Sequence, residues 1–182
     1  MELAKPLYTI KLDSLKGEDK KLTQYYLQNF ELSGANLSDA KKEQLKKVNQ
    51  QLASLSTEFS NTLLIARKNG AIVLDKAEDL DGLSAEDIAA AKAKATEAGY
   101  DGKYMLGLLN YTQHPLLQYL NNRTTREKLF KSSWTRAEKN DSGDTRAILE
   151  KIIRLRLEKA QLMGKKSYAE WSLQDQMAKT PE

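Results

Sequence analysis

Residues 45–66 read LKKVNQQLASLSTEFSNTLLIA, and this stretch decides the fold. Leu45, Val48, Leu52, Leu55 and Phe59 step by three and four residues, the spacing that returns side chains to one face of an α-helix. Thr62 and Ala66 carry the seam toward a stop at Asn69-Gly70, while Ser38 and Asp39 supply an N-cap and a favourable first-turn charge. The pattern predicts a long helix with about three heptad-like repeats. Its remaining faces are unusual. From Val48 to Ala66 the only charge is Glu58; Asn49, Gln50, Gln51, Ser54, Ser56, Thr57, Ser60 and Asn61 are polar and neutral. The solvent face of a long helix normally carries Lys and Glu. A neutral polar face fits either an exposed surface of odd composition, or a second neighbour or cleft wall.

Outward from this seam the chain stays helical. The 182 residues hold 28 leucines against nine Ile and Val together, a ratio that favours helix over strand. Prolines occur only at 6, 115 and 181, leaving two long stretches that can helicate. The expected helices cover 18–32, stopped by Ser33-Gly34, then 84–99 with Ser84 as cap, and a short 116–120 after Pro115. Asn122 starts another, with Leu129, Phe130, Ser133, Trp134 and Ala137 on one face. Asp144 caps a helix over 145–163, and the last spans 167–178. Ile72-Val73 within 71–75 and the alternation of Tyr104, Leu106 and Leu108 within 103–109 predict two short strands that pair antiparallel. The fold class is therefore mainly α: a multihelical bundle with a small two-stranded antiparallel ribbon, read as one helical piece over 1–182. Helix 145–163 carries apolar residues on nearly every side, among them Ile148, Leu149, Ile152, Ile153, Leu155 and Leu157. Such a helix is expected to be covered all round, or to self-associate when the cover is missing.

Composition narrows the chemistry. With no cysteine, disulfides, thiolate catalysis and Cys-based zinc sites are excluded. The one histidine, His114, cannot supply the two or three imidazoles of a catalytic zinc site. Asp79-Leu80-Asp81-Gly82 lacks the later acidic ligands of a calcium loop and reads as a turn. Asn36-Leu37-Ser38, Asn110-Tyr111-Thr112 and Asn122-Arg123-Thr124 match the glycosylation triplet, but two of them double as helix starts. Lys41, Lys42, Lys46 and Lys47 are interleaved with Asp39 and Glu43 and have no aromatic company, so they read as a solvated face and not as a nucleic-acid surface. The net charge of +4 demands no acidic partner. The longest uncharged run, Tyr104 to Asn122, is too polar to span a bilayer. No basic leader followed by an apolar run is expected at the N-terminus. The compartment stays open between cytoplasm and bacterial envelope.

A dense series of words in the C-terminal half carries a resemblance: Asn110-x-Thr112-Gln113-His114-Pro115, Asn122-Arg123-x-x-Arg126-Glu127-Lys128-Leu129-Phe130, Ser133-Trp134-x-Arg136-Ala137-Glu138, Tyr168-Ala169-x-Trp171 and Leu173-x-Asp175-Gln176-Met177-Ala178-Lys179-Thr180-Pro181-Glu182. Upstream, Ser33-Gly34-Ala35-Asn36-Leu37-Ser38 and Leu80-Asp81-Gly82-Leu83 belong to it as well. Together they resemble the helical N-terminal region of bacterial peptidyl-dipeptidases, in the thimet oligopeptidase group of zinc metallopeptidases. The resemblance implies a parent several times longer, with a His-Glu-x-x-His zinc site in another lobe and a deep channel that admits unfolded peptides. It implies no catalytic, cofactor-binding or metal residue on this chain: zinc belongs to the parent, and the segment contributes lobe packing and channel wall. The remainder of the peptidase would be its partner, and oligopeptides its substrates through that parent. The competing expectation is a stand-alone helical interaction module with no enzymatic role.

Overall fold

The computed structural model describes residues 12–182. Seven α-helices and one two-stranded sheet follow a 3₁₀ turn at Leu12–Ser14: α1 (Gly17–Leu32), α2 (Asp39–Asn69), β1 (Ile72–Leu74), a second 3₁₀ turn (Ala77–Leu80), α3 (Ala85–Glu97), β2 (Tyr104–Leu106), α4 (Asn110–Tyr119), α5 (Arg123–Trp134), α6 (Arg146–Leu162) and α7 (Tyr168–Ser172). The mainly helical architecture and the ribbon are as the sequence predicts. The described residues divide into two compact units, 12–56 with 150–182 and 57–149.

Unit 57–149 is built around the ribbon. Ile72, Val73 and Leu74 pair antiparallel with Leu106, Met105 and Tyr104. Two strands alone are marginal in water and need helices on them. Helix α3 lies along β2, and α5 reaches β1. Leu74, Leu80, Ala91, Leu106, Leu108, Leu120 and Leu129 close a single apolar cluster. Full burial of a leucine contributes about 1.5–3 kcal/mol, and Leu80, Leu120 and Leu129 are fully buried. Polar ties finish the joints. Ser132 Oγ donates to the Gly70 carbonyl at 2.6 Å, and the Arg136 guanidinium donates to the Leu108 carbonyl at 3.0 Å. Gly143 sits so close to Ala66 that a Cβ would stand 2.6 Å from its Cα.

Unit 12–56 with 150–182 is a set of helices. Leu45 and Val48 from the α2 seam are buried, as are Ile152 and Ala160 of α6, whereas Leu52 and Leu55 are half-buried. Gly34, at φ +88°, ends α1 in the left-handed conformation open to glycine. Gln28 Nε2 of α1 donates to the Gln174 carbonyl at 3.0 Å. The Arg156 guanidinium lies over the Tyr168 ring at 5.0 Å, and Lys159 Nζ over the Trp171 ring at 4.3 Å, so α7 is held to α6 by two cation–π contacts.

Three expectations are corrected, and the alternatives for α6 are decided. Helix α4 begins at Asn110, five residues before Pro115, because the Leu109 carbonyl takes the Gln113 N–H at 2.7 Å and the turn closes ahead of the proline. Helix α5 ends at Trp134, and Ala137 stands outside it at φ +68°. Its inward face is Thr125 and Leu129; Phe130 and Trp134 stack on each other at 5.7 Å and face solvent, with Trp134 77% exposed. For helix α6 the second alternative holds, apolar faces left without cover. Ile148, Ile152 and Ala160 are buried, but Leu149, Ile153 and Leu157, one turn apart, lie exposed. Finally, α7 stops at Ser172 and does not run to 178. Gln174 Nε2 takes the Trp171 carbonyl at 2.9 Å, the acceptor that a further helical turn needs.

Candidate functional site

The two odd features of the sequence, the neutral face of α2 and the apolar α6, meet in one groove. Gln50, Gln51, Ser54 and Leu55 of α2 face Lys151, Arg154 and Leu155 of α6 across a cavity of about 530 Å³. The helical period explains the set: 51, 54 and 55 share one face of α2, while 151, 154 and 155 share one of α6. Gln50, Gln51 and Ser54 are exposed, and Leu55 and Leu155 form a half-buried floor. The Arg154 guanidinium is held against Glu150, with Nη2 2.7 Å from Oε1. A second face of α2 shares a further cavity with the end of α1, lined in part by Phe30, Lys42, Leu45, Asn49 and Ala53.

Chemically the groove sets polar amides above an apolar floor. Side-chain amides both donate and accept, so Gln50 and Gln51 match the pairing needs of a peptide backbone, and the leucine floor takes an apolar side chain. Among the described residues no carboxylate, imidazole or thiol lines it.

The motifs weighed from the sequence are scattered. His114 is exposed on α4. Among the described residues no group of three or more His, Cys, Asp or Glu side chains could hold a metal. With one histidine in the chain, the donor set does not fit a catalytic zinc. Asp79 and Asp81 serve the turn: Asn122 Nδ2 donates to Asp79 Oδ1 at 3.3 Å, Asn121 Nδ2 to Asp81 Oδ2 at 3.2 Å, and the Asn121 N–H to the Asp81 carbonyl at 2.8 Å. Lys42 pairs with Asp39 at 3.8 Å, while Lys41, Lys46 and Lys47 are exposed. Asp144, below α6, is held well below the usual carboxylate range by the Arg146 guanidinium first and then by the Arg146 N–H. Its Oδ1 accepts that N–H at 3.0 Å, the cap expected of it, although the helix itself begins at Arg146.

The pairing of Arg156 and Lys159 with Tyr168 and Trp171 is a feature that pattern reading passed over. Its signal was present: two cations three residues apart, followed by two aromatics three residues apart.

Residues 116–182 match Peptidase family M3. Over 168 residues the chain is 45% identical to the dipeptidyl carboxypeptidase of Escherichia coli (strain K12), an alignment covering 92% of this chain and 25% of that protein. This chain is similar to family M3 peptidases. The chain is also 34% identical over 176 residues to oligopeptidase A of Escherichia coli (strain K12), covering 93% of the chain and 25% of that protein. It is 31% identical over 172 residues to the probable cytosolic oligopeptidase A of Arabidopsis thaliana, covering 91% and 24%. The chain thus spans about a quarter of the length of the curated relatives it matches. The α2–α6 groove lies within the aligned span of an M3 peptidase, and its α6 wall within the matched residues 116–182. Among the described residues no helix is long and apolar enough to cross a membrane.

Proposed function

We propose that this chain is a non-catalytic helical segment of a zinc-dependent peptidyl-dipeptidase that removes C-terminal dipeptides from oligopeptides. The observation that carries the reading is the 45% identity to a dipeptidyl carboxypeptidase across almost the whole chain, combined with a donor set that holds one imidazole and no thiolate. The chain supplies lobe packing through its exposed apolar residues and a stretch of substrate-channel wall through the Gln50–Gln51–Ser54 side of the groove. Zinc and the attacking machinery reside in the remainder of the parent, which is the partner of this segment. A relative whose name places it in the cytosol supports a cytoplasmic parent.

The test is a paired assay on a blocked oligopeptide, with and without a chelator. The 182-residue chain releases no dipeptide and binds no stoichiometric zinc, while the protein read through the frame beyond Glu182 does both. Chelator-sensitive turnover by the short chain overturns the non-catalytic assignment. A full-length protein that cleaves nothing overturns the peptidase reading.

A further inference from the structure

A second cavity, of about 410 Å³, opens where α1, α2, α6 and α7 come together, within the size range of small-molecule sites. Lys159 and Trp171 line it, and Asp175, Asn29, Asn49, Gln176, Ser33 and Ser172 contribute its other polar groups. Two donors here lack an acceptor. Lys159 is half-buried and makes no ion pair among the described residues; what faces its ammonium is the Trp171 ring, 4.3 Å away. The Trp171 indole Nε1 is buried and has no hydrogen-bond partner among the described residues. Burial alone pushes the Lys159 ammonium below its ordinary value, with no carboxylate acting against it. A ring face offsets only part of the cost of desolvating a cation, so an anion arriving at Lys159 gains more than it would at an exposed lysine.

The other charge in the cavity selects which anion. Asp175 accepts from Gln176 Nε2 at 2.8 Å and forms no ion pair among the described residues. One ammonium and one carboxylate on a single cavity, unpaired with each other, oppose a dianion such as phosphate and match a ligand that carries one charge of each sign. The neighbouring amides suit the peptide or carboxyl oxygens of such a ligand.

We propose that this cavity binds a small zwitterion, a free α-amino acid or dipeptide, with its carboxylate on Lys159 and its ammonium on Asp175. The site is separate from the α2–α6 groove, and its occupancy does not depend on the peptidase reading, because the probe is binding and not turnover.

The experiment labels the two tryptophan indoles with ¹⁵N and titrates the 182-residue chain with Ala-Ala, N-acetyl-Ala-Ala and Ala-Ala amide. Exposed Trp134 is the internal control. Ala-Ala shifts the Trp171 indole resonance saturably and leaves Trp134 in place; the acetylated form binds several-fold more weakly, and the amide at least tenfold more weakly. Free alanine in a parallel titration separates the amino-acid source from the dipeptide. Lys159→Met, which keeps the aliphatic stem over the ring, weakens Ala-Ala binding at least tenfold. Asp175→Asn, at an exposed position, lowers Ala-Ala to the level of the acetylated form. The proposal is overturned if neither Ala-Ala nor alanine moves Trp171 up to about 20 mM, beyond millimolar affinity, or if Lys159→Met with an unchanged Trp134 resonance binds as the parent chain does.

Discussion

Unit 57–149 packs most of its leucines into one buried cluster, whereas the helices of 12–56 and 150–182 bury fewer of theirs. The first encloses Leu74, Leu80, Leu106, Leu108, Leu120 and Leu129 around a ribbon whose every strand has a helix against it. In the second, the described residues bury Leu45, Val48, Ile152 and Ala160 fully, leave Leu52, Leu55 and Leu155 half-exposed, and present Ile153 and Leu157 to solvent. Both regions share helices α2 and α6, so the contrast is not one of helix propensity. It follows from what each stretch of those helices meets. A self-contained core stabilises its own unit; an open, leucine-floored groove is suited to receiving something else.

Substitutions can break this contrast. The largest effect is expected at Leu129, which is 0% exposed at the centre of the closed cluster. Leu129→Ala costs about 3 kcal/mol, within the range for a buried leucine that leaves a cavity, as a lowered midpoint in urea unfolding. Next is Gly82→Ala. Gly82 has φ +92°, and a Cβ would stand 2.1 Å from the Tyr119 carbonyl oxygen. The turn must open, at about 2 kcal/mol, and the Asn121–Asp81 hydrogen bonds are lost with it. If thermal melting shows Gly82→Ala as stable as the parent chain, the tight closure of unit 57–149 is not what holds it.

Asp144 comes below these because its surroundings are solvated. Its folded pKa is depressed, so its contribution is fully present above the unfolded carboxylate value of about 4 and is lost as pH falls toward the folded value. The stability gap between the parent chain and Asp144→Asn therefore holds from neutral pH down to about 4 and narrows below it. A gap that widens on acidification contradicts the Arg146 pairing. The smallest effect is expected at Ile153, 64% exposed on α6. Ile153→Gln changes unfolding free energy by less than about 0.5 kcal/mol, yet lowers self-association of the isolated chain in sedimentation, since it removes apolar surface and no core.

The sequence made much of this legible, and the exceptions have physical causes. Strong periodicity and unambiguous stops found α2 to within a residue: Ser38 at one end, Asn69-Gly70 at the other. The strands were found because Ile72-Val73 and the 104–108 alternation contrast with a leucine-rich background. What failed was the direction of faces. On α5, Leu129 and Phe130 are neighbours in any apolar count, but only tertiary packing decides that Leu129 turns inward while Phe130 stacks on Trp134 outside. The apolar composition of α6 leaves full cover and missing cover both open, and the exposure of Leu149, Ile153 and Leu157 decides for missing cover. The end of α7 was set by Gln174 capturing the Trp171 carbonyl, a side-chain choice that no periodicity records. The groove was foreshadowed by the missing charges between Val48 and Ala66, but its partner wall on α6 required the fold.

The central claim, that the leucine cluster of 57–149 is the more stable core and 150–182 the more loosely held, is tested most directly by native-state hydrogen exchange on the isolated chain. The account predicts that amides in Tyr104–Leu106 and around Leu129 exchange through the highest-energy opening, while those of 153–162 and 168–172 exchange at least tenfold faster, a difference of about 1.4 kcal/mol or more in opening free energy. Equal protection of both sets, merging into one cooperative opening with denaturant, would contradict it.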